Sequence, residues 1–317
     1  MRILVVRLSS MGDVIHTLPA VAALKRSFPG SHLSWLIRPG WEALLEGNPF
    51  VDEMIPLERA VGATLRCIGL LRRQHFDLAV DFQGLIQSAA LAKAARPAKL
   101  VGFGKRSVRE KPAAWFYSQT AEPRAAHVVD RNIELAAAAA GESATASNTV
   151  REFPLPPGKP EGSLPEQRFV LASPFAGWGS KQWPLEYWSD LASRLPLPLV
   201  VNGPPSAERQ LSGITGVFVH LSGIPGLIDA TRRATAVIGL DSGPLHLAAA
   251  LAKPGVALFG PTDPARNGPY GGSIRVLRDA GAVTNYHRRD EPAPSMRALT
   301  PQMAAQALSD VLEGCSA

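Results

Sequence analysis

Two doubly wound, Rossmann-like α/β domains facing a cleft are predicted by three observations in this 317-residue sequence. Short apolar runs alternate with helical stretches in both halves, the pattern of a parallel sheet covered by helices. Small polar and charged residues collect where those runs end, the place open α/β sheets keep for ligands. Between the halves, Pro154, Pro156, Pro157, Pro160 and Pro165 with Gly158 and Gly162 read as a linker. The predicted domains are residues 1–157 and 158–317.

In the first half, Ile3–Val6 is a compact apolar strand. Arg7-Leu-Ser-Ser-Met-Gly-Asp13 is a small polar turn before a helix from Val14 to Phe28, and Leu33–Ile37 is the second strand. Asp13 falls at or just before the helix start, where it either satisfies backbone donors or faces the cleft as a base. The turn lacks the G-x-G-x-x-G spacing of dinucleotide-binding loops, and no P-loop motif occurs. Asp77–Asp81 is a further strand with Asp81 and Gln83 at its end, followed by an Ala-rich helix to about Ala95. Leu100–Phe103 precedes the basic loop Gly104–Lys111, and His127–Ala140 is a helix closed near Gly141.

The second half restarts the alternation. Strand Arg168–Ser173 leads into the loop Pro174–Pro184, with Lys181 the one lysine in its Gly-rich turn. A lysine there is either a solvated loop residue or a cation that reaches a diphosphate. Helix Leu185–Leu195, strand Leu197–Val201, the turn Asn202–Ser206 and a helix holding Glu208 follow. Ala236–Leu240 is a buried strand, and Asp241-Ser-Gly-Pro244 turns the chain into helix Leu245–Leu251. Asp or Ser suits an N-cap and Pro a first helical turn. Such a start, with free N–H groups and the helix dipole behind them, suits a phosphate; the same residues also make an ordinary capped turn. Gly255–Phe259 is the next strand, ending in Gly260-Pro-Thr-Asp-Pro264, and Thr300–Leu312 is the closing helix.

Composition narrows the function classes. With 46% hydrophobic and 19% charged residues, and no run of about 18 strongly apolar residues, the chain reads as a soluble globular protein without a membrane span. Its first residues return to charge too soon for a signal peptide. Cys67 and Cys315 stand far apart without metal-like spacing, which fits a reducing cytoplasm and neither disulfide nor zinc. The net charge of +6 is uneven: residues 59–131 hold 13 Lys and Arg against 5 Asp and Glu. That concentration is a solvated basic surface or the mark of an anionic partner, whether nucleic acid, anionic lipid or a phosphorylated substrate. No helix-turn-helix, zinc-finger or aromatic RNA-binding signature accompanies it, which counts against nucleic acid. Asp-x-Asp is absent, so the metal-chelating pair of metal-dependent sugar transferases is not supplied. A leaving diphosphate would then depend on backbone N–H groups and Lys181. Residue types thus point to transfer from a nucleotide-activated donor to an anionic acceptor. A nucleotide-binding oxidoreductase and a non-catalytic binding module stand as alternatives, because doubly wound folds serve many functions.

Several stretches together resemble the bacterial ADP-heptose heptosyltransferases. They are Arg7-Leu-Ser-Ser-Met-Gly-Asp-Val-Ile-His-Thr-Leu-Pro19, Asp81-Phe-Gln-Gly-Leu-Ile-Gln-Ser-Ala89, Lys181-Gln-Trp-Pro184, Asp241-Ser-Gly-Pro-Leu-His-Leu247 and Phe259-Gly-Pro-Thr-Asp-Pro264. The resemblance implies a sugar transferase of the GT-B type, with acceptor on the N-terminal domain, donor on the C-terminal one, and the last helix packing back on the first. It implies inverting, metal-independent transfer of L-glycero-D-manno-heptose from ADP-L-glycero-β-D-manno-heptose to Kdo of the lipid A inner core, in lipopolysaccharide core biosynthesis. No cofactor is implied. A branch of the same family with another acceptor is the nearest alternative. Asp13 matches the family's proposed general base; Ser10 and Gly12 beside it, with Arg59 and Arg66, are assigned to the acceptor. On the donor side Lys181 matches the residue on phosphate and sugar, Asp241 an acid on the heptose, and Ser242 and Gly243 the phosphate-binding turn. His246 lies one helical turn further on, and Glu208 aligns with an acid that binds the adenosine ribose, after a shorter turn. The segment Leu57–Phe76 is also shorter than in the best-known members, so Arg72, Arg73, Lys105, Arg106 and Arg109 join Arg59 and Arg66 as candidates to grip a phosphorylated acceptor. The loop Asp279–Met296 departs from the family pattern. The implied location is cytoplasmic, peripheral on the anionic inner-membrane surface.

Overall fold

The computed structural model describes residues 1–141 and 150–314; of the residues singled out above, Cys315 lies outside them. The chain divides into two compact units, Met1–Pro156 and Pro157–Ala317. Unit 1 carries strands β1 (Arg2–Val6), β2 (His32–Ile37), β3 (Glu53–Pro56), β4 (Leu78–Asp81), β5 (Lys99–Phe103) and β6 (Gln119–Ala121). Its helices are α1 (Met11–Ser27), α2 (Val61–Gln74), α3 (Ile86–Ala94) and α4 (Val128–Ala140). Unit 2 carries β7 (Val170–Ser173), β8 (Leu199–Gly203), β9 (Phe218–Leu221), β10 (Ala236–Leu240), β11 (Gly255–Phe259) and β12 (Ile274–Arg278). Its helices are α5 (Leu185–Arg194), α6 (Glu208–Leu211), α7 (Ile224–Arg233), α8 (Gly243–Ala250), α9 (Pro264–Asn267), α10 (Pro294–Arg297) and α11 (Pro301–Gly314).

Each unit has a six-stranded parallel sheet, in the orders β3-β2-β1-β4-β5-β6 and β12-β11-β10-β7-β8-β9. Counted from each unit's own first strand, both follow 3-2-1-4-5-6. The order reverses between β1 and β4, and again between β7 and β10. Loops leaving the carboxyl ends of strands at such a switch part to opposite faces and leave a crevice for ligands. Register brings the loops together: Val6 pairs with Asp81, and Gly239 with Ser173.

The inner strands are apolar runs because helices cover both their faces. Ile3, Leu4, Val5 and Val6 are wholly buried, as are Ala236 and Leu240. Burying each Val, Leu or Ile contributes roughly 1.5–3 kcal/mol, so these strands anchor the turns at their ends. α1 packs along α4, α3 packs against both α2 and the turn Lys111–Trp115, and α11 packs on α5 and β11.

Several boundaries differ from the sequence expectation. α1 begins at Met11 and not Val14, which puts Asp13 in its first turn; Val14 N–H donates to Ser10 O at 2.9 Å. β8 extends to Gly203, so Asn202 is in a strand and not in the following turn. The Pro-rich stretch is not slack throughout. Lys159 N–H donates to Pro225 O (3.0 Å), Gly223 N–H donates to Glu161 Oε2 (2.6 Å), and His220 Nε2 lies 2.7 Å from Glu161 O. Residues 158–162 are thereby fastened to unit 2.

Candidate functional site

At the switch of unit 1, Arg7 leaves β1 with its side chain buried and points its guanidinium at α1. Nη2 donates to Asp13 Oδ1 at 2.6 Å, and Nη1 donates to Phe82 O. Asp13 Oδ2 accepts from the backbone N–H and hydroxyl of Ser10, at 3.0 and 3.2 Å. The Asp13 side chain keeps 29% of its surface exposed while Arg7 keeps 6%. Burial opposes its ionisation, but the Arg7 charge, the Ser10 N–H and the nearby Arg109 charge more than offset that, and the carboxyl titrates below its ordinary value. It is therefore ionised, oriented and reachable.

The turn after β4 holds this loop in place. Asp81 is fully buried; one oxygen accepts from Gln83 N–H (2.8 Å) and Gly84 N–H (3.3 Å), the other from the hydroxyls of Ser88 and Tyr117, both at 2.8 Å. Gln83 Oε1 in turn accepts from Leu8 N–H (2.9 Å) and Ser9 N–H (3.2 Å). Gly84 has φ +68, and a Cβ there would press on Val108 and the Arg109 backbone at 3.2 and 3.3 Å, so glycine suits the turn on both counts. Burial raises the Asp81 carboxyl above its ordinary value against the pull of its four donors.

At the switch of unit 2, Lys181 Nζ donates to Asp241 O (2.7 Å) and Asp241 Oδ2 (2.8 Å), and His246 Nε2 lies 3.5 Å from Oδ1. All three side chains are buried. Burial works against the Asp241 charge, yet the His246 hydrogen bond and the Lys181 charge outweigh it and hold the carboxyl well below the usual carboxylate range. Lys181 Nζ also stands 4.0 Å over the Trp178 ring, which Arg288 approaches at 5.2 Å. Trp183 fixes the end of this loop, edge-on to Trp188 at 4.9 Å and donating through Nε1 to Leu299 O at 2.7 Å. The divergent loop 279–296 lies directly on the Lys181 turn. Ser180 N–H donates to Arg289 O (2.9 Å), Ser180 Oγ to His287 O (3.1 Å), and a Cβ at Gly179 would fall 1.8 Å from Asp290 O.

Ser242 is the N-cap of α8, and its Oγ is buried with no hydrogen-bond partner among the described residues. Gly243 opens the helix behind it. Thr262 Oγ1, in the turn after the adjacent β11, is buried in the same condition. Bare N–H groups and unpaired hydroxyls at a helix start are what an anion needs. Glu208 opens α6, exposed and, among the described residues, without an ion pair. The strand order β10-β7-β8 thus sets Asp241, Lys181 and Glu208 in a row along one sheet edge.

Of the residues singled out in unit 1, Ser10, Gly12 and Asp13 come together at the start of α1, while Arg59 and Arg66 lie at the start of α2. Arg72 and Arg73 lie at the other end of α2, Arg72 donating to Ala94 O at 3.0 Å, away from the switch. The pairing of Arg7 with Asp13, the brace from Gln83 and the Trp178 platform were missed by reasoning from sequence. Arg7 and Gln83 stood inside quoted motifs, so the signal was adjacency to a strand end. Among the described residues no three His, Cys, Asp or Glu side chains gather as a metal would require.

Comparison with known proteins places the chain. Residues 64–294 match glycosyltransferase family 9 (heptosyltransferase). Lipopolysaccharide heptosyltransferase 1 of Pseudomonas aeruginosa is 32% identical over 305 residues, covering 86% of this chain and 82% of that protein. The structure of Escherichia coli heptosyltransferase WaaC with ADP-2-deoxy-2-fluoro heptose superposes with a TM-score of 0.77 at 26% identity, covering 98% of this chain and 99% of the other. E. coli ADP-heptose heptosyltransferase II shares the fold, with a TM-score of 0.81 at 22% identity and full coverage of both chains. The chain belongs to glycosyltransferase family 9, the heptosyltransferases.

Proposed function

We propose that this glycosyltransferase moves L-glycero-D-manno-heptose from ADP-heptose to a Kdo residue of the lipid A inner core, with inversion and without a metal. Unit 1 takes the acceptor and unit 2 the donor. Asp13 accepts the proton of the attacking hydroxyl as the new glycosidic C–O bond forms. The bond from the sugar carbon to the diphosphate breaks, and its electron pair leaves with ADP. The charge that develops on ADP meets Lys181, Ser242 and the α8 amino end, groups already oriented before reaction. Ser10 and Gly12 shape the acceptor side, and Glu208 and His246 complete the donor side. The observation that carries the reading is the pair of switch points, one with an accessible ionised carboxylate, the other with a buried ammonium beside a bare helix start. The names of the relatives, and the ADP-heptose analogue bound by WaaC, support donor and acceptor class.

A low carboxyl value makes Asp13 a weak base at rest. It suits a late proton transfer, when bonding to the sugar carbon has already made the hydroxyl acidic, and such catalysis typically contributes ~10²–10⁴-fold. No helix among the described residues is long and apolar enough to cross a membrane. A peripheral approach to the anionic inner-membrane surface from the cytoplasm is supported by exposed Val61 (78%) and Leu65 (65%), which lie between Arg59 and Arg66 in the chain, and by exposed Trp115 (73%), four residues after Lys111. Flotation with anionic vesicles should weaken in Trp115→Glu.

The test is ADP release from ADP-heptose with and without Kdo-lipid A. Acceptor-dependent release is expected. Tight ADP binding with no release on that acceptor would move the enzyme to another position of the core, and no ADP binding would refute the donor.

A further inference from the structure

The brace between the β1 and β4 turns occupies only one end of the Gln83 carboxamide. Leu8 N–H and Ser9 N–H donate to Oε1 at 2.9 and 3.2 Å. Both partners are donors, and only the oxygen end of a carboxamide accepts, so they fix which end is which. Nε2 is left as the free end. It meets no acceptor among the described residues, yet it is not sealed from solvent as the unpaired hydroxyls of Ser242 and Thr262 are. Gln83 as a whole is only 4% exposed, and what remains open includes this donor. A buried, oriented amide with one unused N–H group is a donor prepared for something that is not protein.

Two separate ties bring that donor beside Asp13. Along the loop, three successive N–H groups serve the two side chains: Leu8 and Ser9 donate to Gln83, and Ser10 donates to Asp13 Oδ2 at 3.0 Å. Successive Cα atoms stand at most ~3.8 Å apart, so carboxamide and carboxylate lie about one residue step from each other. Across the switch, the Arg7 guanidinium donates to Asp13 Oδ1 at 2.6 Å and also to the carbonyl of Phe82, the residue before Gln83. Asp81 holds the backbone on that side by accepting from Gln83 N–H at 2.8 Å. A carboxylate that accepts and an amide that donates thus share one loop edge, both held before substrate arrives. The two are complementary towards a sugar, whose hydroxyl groups stand next to other hydroxyl, ring or glycosidic oxygens. A hydrogen bond to the attacking oxygen itself would hold back the electron pair that must reach the sugar carbon. The partner that fits Nε2 is therefore the oxygen beside it.

We propose that Gln83 is a further acceptor-binding residue, whose Nε2 donates to the acceptor oxygen next to the hydroxyl that Asp13 deprotonates. The contact orients the sugar so that this hydroxyl faces the carboxylate. It rests on the transferase reading, with Asp13 as base, and gives Gln83 two duties: Oε1 shapes the loop and Nε2 reads the acceptor. Gln83 suits the second duty because the first has already immobilised its side chain, so little freedom is lost when substrate binds.

Gln83→Glu isolates the donor. A carboxylate oxygen still accepts from Leu8 and Ser9 N–H, so the brace is kept, while the amide N–H group gives way to an oxygen that repels the acceptor's. At neutral pH, kcat/KM for the acceptor should fall roughly ten- to hundredfold with donor KM and ADP affinity unchanged. On acidification the ratio of variant to wild type should rise, because a protonated glutamate carboxyl can donate again. A structural role alone gives no such rise. The added negative charge works in the opposite sense, since it raises the Asp13 carboxyl and removes the base sooner as pH falls. A ratio that stays level or falls overturns the proposal, as does an acceptor kcat/KM close to that of wild type or an equal loss for donor and acceptor. If Gln83→Glu does not fold, wild-type protein isotope-labelled in its glutamine side chains decides. The Gln83 side-chain amide resonance should move on adding Kdo-lipid A and stay on adding ADP; a resonance unmoved by an acceptor that the enzyme turns over overturns the contact. Wild-type protein that turns over no acceptor sinks the transferase reading, and this assignment falls with it.

Discussion

Asp81 and Asp241 are topological counterparts, each at the end of the fourth strand of a sheet ordered 3-2-1-4-5-6. Both are buried, and each organises a link across the switch to the loop after the first strand. The means differ. Asp81 gathers four neutral donors, and the turn it shapes passes Gln83 to Leu8 and Ser9. Asp241 instead takes hold of a cation, Lys181, from that loop. The same scaffold position therefore yields a carboxyl held by uncharged donors in one unit and a buried ion pair in the other. In unit 1 the cation, Arg7, pairs instead with Asp13, where a proton can be taken. The ion pair stores an ammonium beside a helix start, where a diphosphate can be met.

The largest effect should come from the exposed carboxylate. Asp13→Asn should lower turnover by ~10²–10⁴-fold with ADP affinity kept; turnover within a factor of ten of wild type would end the contrast between a reacting and an organising carboxylate. Lys181→Ala should follow. A contact to a charged group is worth roughly 1.5–3 kcal/mol, so donor affinity should fall about ten- to hundredfold. It also strands Asp241 without its counter-charge, which typically costs about 3–5 kcal/mol of stability. A calorimetric melt and an ADP titration read the two losses separately.

Acid stability sharpens the comparison by sign. Asp241 and Asp13 titrate lower in the folded protein than in the unfolded chain, so their stabilisation is complete above about pH 4 and lost as pH falls below it. Asp81 is shifted the other way, so its contribution is present below about pH 4 and fades as pH rises. Asp241→Asn should therefore flatten the loss of stability between about pH 4 and pH 2, and denaturant melts across that range would show an unchanged slope if the ion pair is not what holds the loop. The smallest effect is expected in Arg7→Gln. Removing the charge that most lowers Asp13 should move the acid limb of kcat/KM to higher pH, and Arg7→Lys should restore it; a limb that stays put would mean that Asp13 does not govern it.

How much of this was legible beforehand follows from burial. β1, β4, β7, β10 and β11 could be read because both faces are covered and the sequence there is apolar without a break. The edge strands β3, β6, β9 and β12 are partly exposed, and their mixed residues look like loop. α2 was obscure for a related reason, since Cys67 and Leu71 are its buried residues. At the sites, motifs located Asp13, Lys181 and Asp241, but partnerships are non-local. Lys181 meets Asp241 across 60 positions, and Gln83 meets Leu8 across 75. The start of α1 was misjudged because Ser-Ser-Met-Gly resembles a turn until Asp13 is seen to satisfy Ser10 N–H from within the helix.

The clasp of residues 158–162 on α7 and β9 decides where this protein can be dissected. A C-terminal fragment begun at residue 166, just ahead of β7, would lack Glu161 and leave His220 buried without its carbonyl partner and Gly223 N–H uncapped. One begun at residue 157 keeps both. Expression trials of separate units should therefore cut before the clasp.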